Sequence, residues 1–102
     1  MFEKLEEIEK KYETVTEQLS DPELLADQQK YARTAKQHRD LGEIVEKYKE
    51  YRALDKGIKE TKELLESEED AELVEMARTE LVQLEERRAQ AEQDLKVLLL
   101  PK

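Results

Sequence analysis

Residues 28–66 read QQKYARTAKQHRDLGEIVEKYKEYRALDKGIKETKELLE, and this stretch decides the fold. Its apolar and semi-apolar side chains recur every three or four residues from Tyr31 to Leu65, which predicts one face of an α-helix. A β-strand is excluded, because its faces alternate at every second residue. Gly42 and Gly57 each cost about 1 kcal/mol relative to Ala, so we expect a bend at most, not an end. At 1.5 Å per residue the predicted helix is roughly 57 Å long.

The segment before this helix predicts a shorter helix and a sharp reversal. Apolar side chains follow one helical face at Phe2, Leu5, Ile8, Tyr12, Val15 and Leu19. The pattern stops at Ser20-Asp21-Pro22-Glu23, since a proline disfavours helical geometry in the residue that precedes it. We therefore predict a helix over residues 2–19.

The turn itself carries two capping signals. Ser20 and Glu23 have the spacing of a capping box, and Asp27 is a suitable N-cap for the long helix. Between these signals, Leu24 and Leu25 are expected to pack under the bundle.

A third helix is predicted after the polar residues 66–70, whose acidic side chains suit a helix N-terminus. The residues on its seam repeat at near-heptad spacing, with one charged member, Arg88: Leu73, Ala77, Leu81, Leu84, Arg88, Ala91, Leu95 and Leu98. Pro101 ends the pattern. The expected fold is all-α, an elongated three-helix bundle with coiled-coil-like antiparallel packing. We expect one domain over residues 1–102, with helices over about 2–19, 28–66 and 70–99.

The charge of the chain is unevenly distributed. The formal net charge is −9, yet residues 30–62 carry ten basic and six acidic side chains. Within this segment Lys30, Arg33, Lys36 and Arg39 recur every third residue. Two explanations are open: the cations balance the charge of the two acidic helices, or they contact nucleic-acid phosphates, which bind Lys and Arg by counterion release.

Catalytic, cofactor and metal sites are not expected. The chain has no cysteine and only two glycines, so thiolate chemistry and a glycine-rich phosphate loop are excluded. Ser20 and Ser67 are interpreted as helix caps. His38 is the only histidine, and we interpret it as a packing residue. Such a chain is predicted to act by binding.

Two further patterns bear on partners and location. Tyr12, Tyr31, Tyr48 and Tyr51 follow the apolar stripes, which favours packing at the rim with hydroxyls in water; base stacking is the alternative. The longest apolar run, residues 97–100, is far shorter than a membrane helix requires. We expect no membrane contact, no small-molecule substrate and a cytoplasmic location.

The sequence resembles the N-terminal domain of bacterial class I peptide chain release factors, closest to the release factor one branch. The resemblance spans the whole chain. It rests on Leu19-Ser20-Asp21-Pro22, on the tyrosines, on Ile44-Val45 and Met76-Ala77, and on the ending Leu98-Leu99-Leu100-Pro101-Lys102. The Pro-x-Thr and Gly-Gly-Gln motifs that the family uses for codon reading and hydrolysis do not occur here.

The resemblance implies a role in translation termination, with UAG and UAA as the codons expected for this branch. It implies a non-catalytic positioning module that contacts the ribosome near the stalk base, through large-subunit RNA and protein, and contacts the rest of its own chain. Lys30, Arg33, Lys36 and Arg39 are the candidate contacts. A generic antiparallel coiled-coil interaction module is the alternative.

Overall fold

The computed structural model describes residues 1–101 and contains four helices: α1 (Phe2–Gln18), α2 (Pro22–Leu25), α3 (Gln28–Ser67) and α4 (Ala71–Leu98). No strand is present in this part of the chain. The predicted all-α, elongated bundle is confirmed, with extents of 63 × 27 × 20 Å. Each long helix begins and ends within one residue of the expected position. The short helix α2 is an addition to the predicted three.

The long helix α3 is the centre of the molecule, and both other long helices run antiparallel to it. Along α1, Tyr12 stacks on His38 while Phe2 lies 5.2 Å from the ring of Tyr51. These contacts place α1 on the N-terminal half of α3. Along α4, early residues lie beside the C-terminal half of α3, and late residues reach back to its middle.

Only the middle of α3 is therefore packed between two long helices. There Leu5 of α1, Tyr48 of α3 and Leu95 of α4 form the buried cluster, with exposures of 1%, 5% and 0%. Ile44, Tyr51 and Leu99 pack against it. The two ends of α3 have a single long neighbour each, because α1 and α4 overlap only in this region. The core is consequently thin, as expected for a rod of this width.

Three aspartates cap the helices. The Asp27 carboxylate accepts a hydrogen bond from the Lys30 backbone N–H (3.1 Å), as the sequence indicated. Asp21 caps α2, and Asp70 caps α4 by accepting from two backbone N–H groups. Side-chain oxygens in this position satisfy N–H groups that have no partner within the helix.

Three local predictions were wrong. Ser20 does not cap α2, because its hydroxyl donates backwards to the Glu17 carbonyl (3.0 Å) and Asp21 takes the N-cap position. Ser67 does not begin a helix either; it is the last residue of α3. Leu25 does not pack under the bundle, since the single turn of α2 turns it outward and leaves it 55% exposed.

Both glycines of α3 lie inside an uninterrupted helix. Their backbones have no positive φ, so neither position requires glycine for its conformation. A Cβ at Gly57 would meet Leu84 Cδ1 at 3.5 Å, an ordinary contact, whereas a Cβ at Gly42 would meet Tyr12 Cε1 at 3.3 Å. The glycine at 42 thus allows the Tyr12 ring to lie close to α3.

The substitution Gly57→Ala is expected to stabilise the chain by about 0.5–1 kcal/mol, because it removes the helix cost of glycine without a clash. Gly42→Ala should gain less, since the Tyr12 ring must first shift by a few tenths of an ångström. Urea unfolding of the two variants beside the parent measures the difference. A less stable Gly57→Ala protein would contradict the contact geometry at Leu84.

The one charged residue on the α4 seam has a partner across the interface. Arg88 donates a hydrogen bond to Asp55 of α3 at 2.6 Å, and both side chains are about 30% exposed (31% and 29%). Lys59 lies 3.2 Å from the other Asp55 oxygen. The hydrogen bonds from Arg88 and Lys59 lower the pKa of Asp55. A charged residue is tolerated on this seam because its charge is paired.

Asp55→Asn is expected to destabilise the chain by about 1 kcal/mol at neutral pH, by weakening this pair. Since the folded pKa lies below the ordinary value, the contribution is complete above about pH 4 and is lost as pH falls through the folded pKa. Urea unfolding between pH 7 and pH 3 should therefore show the difference shrinking with acid. Glu13→Gln, on the exposed face of α1, is the matched control. A pH-independent difference would mean that the carboxylate charge is not involved.

Candidate nucleic-acid interface

The four predicted contact residues lie on the first four turns of α3. The helix begins at Gln28 because Asp27 caps it, and this start places Lys30, Arg33, Lys36 and Arg39 beyond the middle region where α4 packs. All four side chains are exposed. We call these four residues the basic surface.

The basic surface is a band that turns around the helix. An α-helix rotates about 100° per residue, so each step of three moves the side chain back by about 60°. Lys30 and Arg39 therefore point about 180° apart, over a rise of roughly 13 Å. Consecutive members are neighbours, but the first and last are not. Such a band suits a curved or grooved polyanion better than a flat one.

Charge balance explains other cations of α3. Arg52 donates to both carboxylate oxygens of Glu9 on α1, and Lys47 lies 3.4 Å from Asp94 on α4. Among residues 1–101, the salt bridges between α3 and its long neighbours are made by Lys47, Arg52 and Asp55. The explanation by charge balance thus fits the middle of α3, and the basic surface lies outside that region.

Acidic groups border one side of the basic surface. A shallow cleft between α1, α2 and the start of α3 is lined by Asp21, Glu23 and Asp27 together with Lys30 and Arg33. Two of these carboxylates already serve as helix caps. Lys36 and Arg39 lie further along the helix, outside this cleft.

The tyrosines divide between core and surface. Tyr48 is buried, and its hydroxyl donates to Glu6 at 2.6 Å, so the expectation that it reaches water was wrong. Burial and then the Glu6 hydrogen bond raise the pKa of Tyr48. Arg52 lies 4.3 Å from the centre of the same ring. Tyr31, in contrast, is exposed beside the basic surface.

His38 is a packing residue of α3, and it lies against the C-terminal half of α1. Its ring stacks on Tyr12 with 4.5 Å between centroids, and its Nε2 is 2.9 Å from the Thr16 hydroxyl. Within residues 1–101, no three His, Cys, Asp or Glu side chains are grouped as metal ligands would be. The same part of the chain has no helix whose length and hydropathy would allow it to cross a membrane.

By its fold and its surface, the protein is an elongated all-helical domain with exposed charged side chains and is of the class that acts by binding. The PCRF domain family matches residues 8–102. The chain belongs to this family. Together with the relatives described next, this match confirms the resemblance to release factors.

Several curated relatives are similar to the whole chain. The peptide chain release factor 1 of Acidobacterium capsulatum is 54% identical over 102 residues, covering 100% of this chain and 28% of that protein. Those of Syntrophomonas wolfei and Clostridioides difficile are 45% and 44% identical, over 99% and 100% of this chain and 28% and 29% of those proteins. The chain thus spans between a quarter and a third of their length. No solved structure matches.

Proposed function

We propose that this chain is the helical arm of a peptide chain release factor, which positions the factor on the ribosome during termination at stop codons. UAG and UAA are the codons we assign to it, through domains that follow this one. Family membership and the names of the relatives support this role. They also argue against a generic coiled-coil module, because unrelated heptad proteins would not share the domain family.

The arm itself contributes binding, and we assign no hydrolysis to it. Its sequence contains no Gly-Gly-Gln, the motif on which peptidyl-tRNA hydrolysis in the family depends. The partners are the ribosome near the stalk base, through large-subunit RNA and protein, and the remainder of the release factor. This role places the protein in the cytoplasm.

The observation that carries the ribosomal role is the basic surface. Four exposed cations recur on one short helical segment of a chain whose net charge is −9. Because RNA phosphates repel a chain with a negative net charge, binding to RNA requires local contacts between cations and phosphates. Phosphate contacts orient a protein on nucleic acid without reading sequence, which is what a positioning arm requires.

Salt titration of ribosome binding tests this proposal. The chain is sedimented with purified ribosomes, and the association constant is measured as KCl is raised. Four phosphate contacts predict a slope of roughly −3 in log K against log [salt], at about 0.7–0.9 per contact. A slope near zero, or no sedimentation at low salt, would contradict phosphate contact by this surface. A peptidyl-tRNA hydrolysis assay on the same chain should show no release.

A further inference from the structure

The end of the molecule opposite the basic surface is strongly acidic. Residues 63–86, which close the hairpin between α3 and α4, carry ten acidic side chains and one basic side chain, Arg78. The shorter helix α1 does not reach this end, because Phe2, its first residue, already lies beside Tyr51. The hairpin is therefore open to solvent on its outer sides.

Apolar side chains are exposed within this acidic region. Leu73 is 46% exposed and Met76 is 67% exposed. Leu73 was predicted to be the first packed residue of the seam, but at the end of the hairpin it stays half exposed, whereas Ala77 is buried and Leu81 and Leu84 are partly buried. Met76, three residues after Leu73 and therefore its neighbour on the helix surface, lies on an adjoining stripe of α4 with Glu80 and Gln83 at the next helical positions.

A shallow groove follows this stripe. It is lined by Glu72, Glu75, Met76, Thr79, Glu80 and Gln83. We call it the acidic groove. Its floor combines a methionine, whose flexible thioether adapts to different apolar partners, with three carboxylates at its edges. An apolar centre with a charged rim is the usual anatomy of a protein-binding surface.

We propose that the acidic groove is a docking surface for a cationic, amphipathic protein segment. The partner we infer is a helix whose apolar side chains cover Leu73 and Met76 while its Lys and Arg residues face Glu72, Glu75 and Glu80. Charge complementarity selects this occupant: ten carboxylates against one cation attract a basic chain and repel RNA. The inference does not depend on the ribosomal role of the basic surface.

A designed peptide tests the groove directly. The probe is a synthetic amphipathic helix built only of leucine and lysine, titrated against the chain by calorimetry. One control peptide has serine in place of leucine and keeps the charge; another has glutamate in place of lysine and keeps the apolar face. We expect saturable binding of the first peptide, at least about tenfold tighter than either control.

Paired variants locate the site. Leu73→Ser with Met76→Ser should weaken peptide binding about tenfold, whereas Val82→Ser should change it less than twofold. Val82 is the matched control because it is 57% exposed on the same helix and lies about 180° around from Leu73. Glu75→Lys with Glu80→Lys should weaken binding about tenfold. Glu7→Lys with Glu13→Lys, on α1, makes the same change in net charge and should have little effect.

Three results would overturn the proposal. If the two pairs of charge reversals weaken peptide binding equally, the peptide is attracted by the net charge of the chain and not by the acidic groove. If the Leu73→Ser/Met76→Ser variant binds the peptide with unchanged affinity, the peptide makes no apolar contact with these two side chains. Finally, binding to this chain that is lost in a longer protein carrying the following domains would identify the protein's own chain as the occupant.

Discussion

Reversing the charge of the basic surface, with Lys30, Arg33, Lys36 and Arg39 all changed to Glu, is expected to weaken ribosome binding at least about a hundredfold. Each exposed cation that contacts a phosphate contributes about 1 kcal/mol, less than a buried charge-assisted hydrogen bond. Removing four such contacts costs about 4 kcal/mol, and the new carboxylates add repulsion. The salt slope should fall towards zero together with the affinity.

A second quadruple variant separates local contact from total charge. Changing Lys4, Lys10, Arg78 and Arg87 to Glu produces the same change in net charge on residues that are also exposed. We expect this variant to lose less than about fivefold in affinity, through the long-range field alone. Equal losses in the two variants would show that the ribosome senses only net charge. All eight side chains are at the surface, so both variants should keep their helical circular dichroism.

Leu95→Ala is expected to be the most destabilising single truncation, at about 3 kcal/mol. Leu95 has 0% exposure and lies where all three long helices meet, against Leu5 and Tyr48. Truncation of a buried leucine to alanine typically costs 2–5 kcal/mol, from lost burial and the remaining cavity. The free energy of unfolding of such a domain is about 5–15 kcal/mol, so this loss is a large fraction of it. At roughly 5 °C per kcal/mol, the midpoint of thermal unfolding should fall by about 15 °C.

The matched control for this truncation is Val97→Ala, two residues along the same helix. Val97 is 66% exposed, and alanine has the higher helix propensity, so its stability should change by less than about 0.5 kcal/mol. Thermal and urea unfolding followed by circular dichroism measure both variants. A loss below about 1 kcal/mol for Leu95→Ala would mean that the junction of the helices contributes little to stability.

The positions of the helices could be predicted because their causes are local. Apolar spacing of three and four residues, a proline at the reversal and aspartates before α3 and α4 act within a few residues of each helix. The errors were local as well. Ser20 was the predicted cap of this turn, but its hydroxyl bonds to the preceding helix and Asp21 takes the N-cap position. The direction of the Leu25 side chain could not be predicted, because a helix of one turn has no repeating apolar pattern that would show which face packs.

The sequence by itself thus determined an all-helical rod, the ends of its long helices and the clustering of four cations at the start of α3. Only the tertiary structure decided which cations are paired. Arg52 meets Glu9 across 43 residues and Arg88 meets Asp55 across 33, and such partners depend on how the helices align. The physical reason is that α1 and α4 overlap only at the middle of α3. The charged side chains of α1 and α4 pair with those of α3 in and next to this region, while the basic surface at one end and the acidic groove at the other are left open to solvent.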